Sequence, residues 1–117
     1  MGYINMERIF IEGYSDRQRN ELIHEVEKTI AENGGWIMDH QMFSNKSISL
    51  WVVTDYLKLG KMFNDLKLIQ VNMNSERLDT ILGNNHPIED PEPIMLSLSI
   101  NFINHYPDLA VKTPPIS

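Results

Sequence analysis

The side chains that could do chemistry in this chain are its histidines, carboxylates and hydroxyls, because it has no cysteine. Disulfides, thiolate nucleophiles and thiolate-bound zinc or iron–sulfur centres are thereby excluded. The four histidines are His24, His40, His86 and His105. Their spacing builds neither HExxH nor HxH, so no metal motif forms. His24 stands beside Glu25 on a helical stretch and reads as a surface residue. His40 follows Asp39 in a strand, where neighbours point to opposite faces and cannot pair directly. A partly buried structural role is expected for His40, and an enzymatic reading would need a buried polar cluster around it. Glu89, Asp90 and Glu92 crowd a proline-rich loop and read as a solvated acidic surface, without the EF-hand ligand pattern. Ser44, Ser47 and Ser49 have no accompanying base or oxyanion motif, and there is no Walker A or GxGxxG loop. The chain is therefore read as having no catalytic residue, no metal site and no cofactor.

Composition narrows the partners. The chain has 117 residues, 42% hydrophobic and 22% charged, which suits one globular domain. A net charge of -6 works against nucleic acid, since phosphate neutralisation needs clustered Lys and Arg, and Arg17 with Arg19 is the densest basic group. No segment approaches the roughly 20 apolar residues of a membrane span. The start, MGYINMERIF, lacks the regions of a secretory signal, and a cytoplasmic location is expected.

These residues must be positioned by a small set of elements. ERIFIE (7–12) reads as a central strand ended by Gly13. Ser15 and Asp16 are candidate caps for a helix carrying Leu22, Ile23, Val26, Thr29 and Ile30 on one stripe. Asn33-Gly34-Gly35 ends it, with glycine accepting positive φ. WIMDHQMF and SISLWVVT form a hairpin, the second strand burying Ile48, Leu50 and Val52. Asp55 is expected to cap a second helix through Leu57, Leu59, Met62, Phe63 and Leu66, interrupted by Gly60. LKLIQVNM reads as a fourth strand showing Ile69, Val71 and Met73 to one side. Ser75 caps a short helix to Gly83. IMLSLSINF alternates most cleanly, with Ile94, Leu96, Leu98, Ile100 and Phe102 on one face.

The order is β-α-β-β-α-β plus a short helix and a C-terminal strand. That is an α/β (α+β) sandwich of ferredoxin-like type, with one domain over 1–105 and a loosely ordered tail over 106–117. Right-handed crossovers put both main helices on one face of the sheet. Trp36, Met38, Trp51 and Val53 are candidates for the other face, and Trp36 and Trp51 could stack across the hairpin. Large apolar groups left in water cost about 25 cal/mol per Å², so a homodimer through the sheet is expected.

Gly13, Asp16-Arg17, the following helix, Ala31-Glu32-Asn33-Gly34-Gly35 and Trp36-Ile37-Met38-Asp39 together resemble the first half of an ACT domain. The likeness is strongest to the kind in glycine-cleavage repressor-like proteins. Gln18-Arg19 stand where that family has Pro-Gly, and a side chain at Arg19 crowds the usual approach to the backbone while offering a guanidinium instead. Beyond Asp55 the likeness is one of topology. The resemblance implies a non-catalytic regulatory module that senses an amino acid or another small effector, such as an anion, where two domains meet. The ligand-binding residues would then be Gly13, Ser15, Asp16, Arg17, Arg19, Ile37, Asp39 and His40. Amides near Asp16 would meet an anionic group, Arg19 would pair with it and Asp39 would receive an ammonium. The alternatives are a protein-interaction or oligomerisation module with no small ligand and, third, a small ferredoxin-fold enzyme.

Overall fold

A computed structural model describes residues 7–43, 46–83 and 93–103. The expectations for Ser44, His86, Glu89, Asp90, Glu92, His105 and the tail over 106–117 lie outside the described residues. In chain order the elements are β1 (Glu7–Ser15), α1 (Arg19–Glu32), β2 (Trp36–Met42), β3 (Ser47–Asp55), a 3-10 turn (Tyr56–Lys58), α2 (Leu59–Leu68), β4 (Asn72–Met73), α3 (Ser75–Gly83) and β5 (Pro93–Phe102).

The strands form one mixed sheet in the order β2-β3-β5-β1-β4. β5 runs parallel to β1, from Glu7↔Ile94 to Ser15↔Phe102, and antiparallel to β3, from Ser47↔Asn101 to Asp55↔Pro93. The last strand is therefore central and not an appendage. Its alternation explains why it fits there. Ile94, Leu96, Leu98, Ile100 and Phe102 are all buried on one face, beside Ile9 and Ile11 of β1 and Ile48, Leu50 and Val52 of β3. α1 supplies Leu22, Val26 and Ile30 to the same core, and α2 supplies Leu59, Met62, Phe63 and Leu66. α3 adds Leu78 and Ile81. No helix among the described residues is long and apolar enough to cross a membrane.

Several local expectations are corrected. β1 runs through Gly13 to Ser15, because β5 continues alongside it and the Ile103 amide donates to the Ser15 carbonyl at 2.9 Å. α1 is capped by Gln18, whose Oε1 accepts from the Glu21 amide at 2.8 Å, and not by Ser15 or Asp16. α3 is capped by Asn74, which accepts from the Arg77 amide at 2.7 Å, one residue before Ser75. Asp55 opens the 3-10 turn without a side-chain cap bond, and Leu57, within that turn, is exposed.

The expected strand over LKLIQVNM is mostly the end of α2 and the turn that closes it. The helix closes with Val71 N–H donating to Leu66 C=O at 3.0 Å and Gln70 N–H donating to Lys67 C=O at 2.9 Å. Only Asn72–Met73 remains to pair with β1. α1 closes in the same way, Gly35 N–H to Ile30 C=O at 2.9 Å and Gly34 N–H to Ala31 C=O at 3.0 Å. In both, the residue after the cap is left-handed: Gly34 at φ 78° and Gln70 at φ 74°. Glycine takes this conformation freely and glutamine does not. Gln70→Gly is therefore expected to raise stability by about 1 kcal/mol, read as a higher urea midpoint with unchanged slope.

Candidate functional site

The opening loop is built from the end of β1 and the start of α1, and its own chain fills it. A Cβ on Gly13 would lie 3.0 Å from Val71 Cγ1, 3.1 Å from the Asn72 carbonyl and 3.2 Å from Met73 Cγ. The close approach that glycine permits is thus made by the segment leading into β4. Ser15 is fully buried, and its Oγ accepts from the Arg17 amide at 3.1 Å. Arg17 holds Glu25 through Nη1–Oε1 at 2.8 Å and Nη2–Oε2 at 3.0 Å. Its Nη1 also donates to the Ile69 carbonyl at 3.3 Å, tying the start of α1 to the end of α2. Asp16 is exposed, and Arg19 is half-buried with Nε donating to Asn20 Oδ1 at 3.4 Å.

The other half of the expected pocket lies elsewhere in the chain. β2 runs parallel to β1, because β5 parallels β1 and each step from β5 to β3 to β2 is antiparallel. The start of β2 is therefore at the opposite end of the sheet from the loop after β1. Two strands intervene laterally, about 14 Å at ordinary strand spacing. Ile37 is half-buried against the core, while Asp39 and His40 are exposed. One chain does not bring Gly13, Ser15, Asp16, Arg17 and Arg19 together with Ile37, Asp39 and His40. The expectation of a partly buried His40 is corrected. β2 is an edge strand, and no polar cluster forms around this imidazole among the described residues.

The Arg17 hydrogen bonds hold the Glu25 carboxyl below its usual range. Lys61 and Asn33, both donating to Asp65, do the same for that group. A carboxylate depressed in the folded state contributes stability above its unfolded value and loses it as pH falls through the folded one. Unfolding monitored by circular dichroism is expected to show stability declining from about pH 4.5 downward, with a smaller decline in Glu25→Gln.

Among the described residues, the face of the sheet away from the helices is uncovered. Register partners share a face, so rows can be read across the strands. One row is Trp36, Val53, Met95 and Arg8. The next is Asp39, Trp51, Ser97 and Phe10, followed by Gln41, Ser49, Ser99 and Glu12. The last holds Ser47, Asn101, Tyr14 and Asn72. The first two rows are mainly apolar and the last two mainly polar.

Local features shape this face. The Phe10 and Trp51 rings meet edge to face, centroids 6.3 Å apart, across Ser97, which is only 7% exposed. This replaces the expected contact between Trp36 and Trp51. Phe10 is still 55% exposed and Trp36 69%. A bulge between Ile37 and Asp39 shifts the register of β2. Without it, alternation would turn Asp39 toward the helices; with it, Asp39 shares the outer face with Trp36. Ser49 and Ser99 hydroxyls are hydrogen-bonded at 2.9 Å in the polar half. At the β1 edge, beyond the reach of β4, Arg77 donates to the Phe10 carbonyl from Nη2 at 3.0 Å and Nε at 3.3 Å. A shallow depression of about 350 Å³ beside it is lined by Glu12, Tyr14, Asn72, Met73, Asn74 and Asn101.

Trp36, Trp51 and Val53 were readable as outer-face residues from alternation. Phe10 was missed because ERIFIE resembles a strand buried on both sides. The signal was the polar-apolar alternation of Arg8, Phe10, Glu12 and Tyr14 against Ile9 and Ile11. Among the described residues no group of His, Asp or Glu gathers as a metal site. Comparison with protein-family models, with curated proteins and with solved structures finds no match in any of the three.

Proposed function

We propose that the chain is a non-catalytic interaction module of ferredoxin-like type that works through the uncovered face of its sheet. Leaving β5 aside, the strand order β2-β3-β1-β4 alternates in direction as a βαββαβ unit does, and β5 is then an inserted central strand. The observation that carries the proposal is the contiguous Phe10, Trp51, Val53, Met95 and Trp36 surface, over which no helix lies among the described residues. Burying such groups against another protein is worth about 25 cal/mol per Å², and contiguous apolar patches mark interaction sites. The apolar dye ANS is expected to bind this face whenever it is uncovered. Phe10→Ser with Trp51→Ser should remove that binding while far-UV circular dichroism is unchanged. Undiminished dye binding in the double variant would refute the assignment.

A second reading is an ACT-like regulatory module sensing an amino acid or small anion. It rests on the first turn of α1, which the exposed Asp16 and half-buried Arg19 flank. Because β2 starts at the far end of the sheet, a pocket using Asp39 would need a second copy. Calorimetry with amino acids separates the readings. Heat that disappears in Arg19→Ala supports sensing, and no heat with unshifted amides over 13–19 supports the interaction module.

A further inference from the structure

We infer that the occupant of the uncovered sheet face is a second copy of this chain, related by a two-fold axis running along the strands; this rests on the interaction reading above. The four long columns on this face are β2, β3, β5 and β1, in that spatial order. An axis along the strands between β3 and β5 exchanges β1 with β2 and β5 with β3 while keeping each row in place. The more apolar half then meets the more apolar half: Met95 packs on Val53 of the partner subunit, while Phe10 lies over Asp39 of the partner subunit and Trp51 over Ser97 of the partner subunit.

Charge selects the same arrangement. Arg8 and Glu12 form no ion pair among the described residues, and Asp39 accepts only from its neighbour's backbone, the His40 amide at 2.8 Å. The strand-parallel axis places Arg8 in the row of the partner's Trp36. Asp39 of the partner subunit is one row away, about 7 Å along the strand. A guanidinium there sits on an indole face and reaches a carboxylate, two favourable contacts for one side chain. The β2 bulge matters here, because it is what turns Asp39 to this surface. An axis across the strands through the middle of the face instead lays Trp51 and Val53 over Ser49 of the partner subunit and Ser47 of the partner subunit, and sets Phe10 against Glu12 of the partner subunit. It leaves the apolar half facing polar groups, which disfavours it.

The face measures about 19 Å across four strands and about 20 Å along them. That is about 380 Å² per copy, below the roughly 800 Å² per partner of a stable interface, so a weak dimer that dissociates on dilution is expected.

Charge exchange on the full chain tests the pairing by analytical ultracentrifugation across a dilution series. Arg8→Glu alone and Asp39→Arg alone should each weaken the dimer by about tenfold or more. Carrying both changes in one chain should restore it, and mixing the two single variants should give a heterodimer with one corrected contact. A dimer undiminished by Arg8→Glu, or one weakened by it that Asp39→Arg fails to restore, would overturn the strand-parallel arrangement. A wild-type monomer at every concentration whose ANS binding is lost in Phe10→Ser/Trp51→Ser overturns self-association but leaves the face an interaction surface. A monomer whose dye binding is unaffected by that double change overturns both.

Discussion

Leu98→Ala is expected to destabilise the protein by about 2–5 kcal/mol, the range for a large-to-small change at a fully enclosed site. Leu98 is fully buried, paired with Ile11 on one side and Leu50 on the other. The loss is large because the site cannot collapse: strands flank it on both sides and helices cover it. A strand merely appended to the edge would leave this side chain half in water, and truncation would then cost much less. Urea unfolding gives the number directly, and a loss below about 1 kcal/mol would contradict a central β5. Against a total stability of about 5–15 kcal/mol, the expected loss puts the variant near the limit of folding.

Gly13→Val is the second large effect, and it acts through overpacking. The added carbons would press on Val71, the Asn72 carbonyl and Met73, all within 3.0–3.2 Å of the first atom alone. A backbone carbonyl cannot move aside without breaking the short β1–β4 pairing, Gly13↔Met73 and Tyr14↔Asn72. A cost of about 1–3 kcal/mol is expected, with faster amide exchange in β4 while β5 stays protected. The same variant bears on function. Were Gly13 open for a ligand, valine would be tolerated and only ligand binding would suffer; since β4 occupies the space, the fold itself is expected to suffer.

What could be read from the sequence follows from what is local. The helical stripe Leu22–Val26–Ile30 and the alternation of β3 and β5 are local periodicities, and the structure keeps them. The place of β5 between β1 and β3 depends on pairing between distant segments, which periodicity does not encode. The β2 bulge was equally hidden, since one extra residue leaves no compositional mark yet changes which side Asp39 faces. Caps failed for another reason. Ser15 was buried by the continuing strand and could not cap, so Gln18, an unusual cap residue, does so instead. Gln70 shows the same limit, because a helix end at a non-glycine left-handed residue has no sequence signature.

The candidate site was readable in part. The opening loop drew attention through Gly13 and the Asp16-Arg17 pair, but its contacts run to Val71, Ile69 and Glu25, distant or off-pattern partners that spacing does not show. The uncovered face was foreseen from Trp36, Trp51 and Val53, while Phe10 and Arg8 needed the register with β5 to join it.

The chain's two tryptophans both lie on that face, so intrinsic fluorescence reports on it without labels. Acrylamide quenching and emission wavelength should be followed from nanomolar to high micromolar protein. If copies of the chain close over this surface, emission shifts to shorter wavelength and quenching falls with rising concentration, at the midpoint where sedimentation shows the mass doubling. Emission and quenching that stay those of solvated indoles throughout would contradict the account.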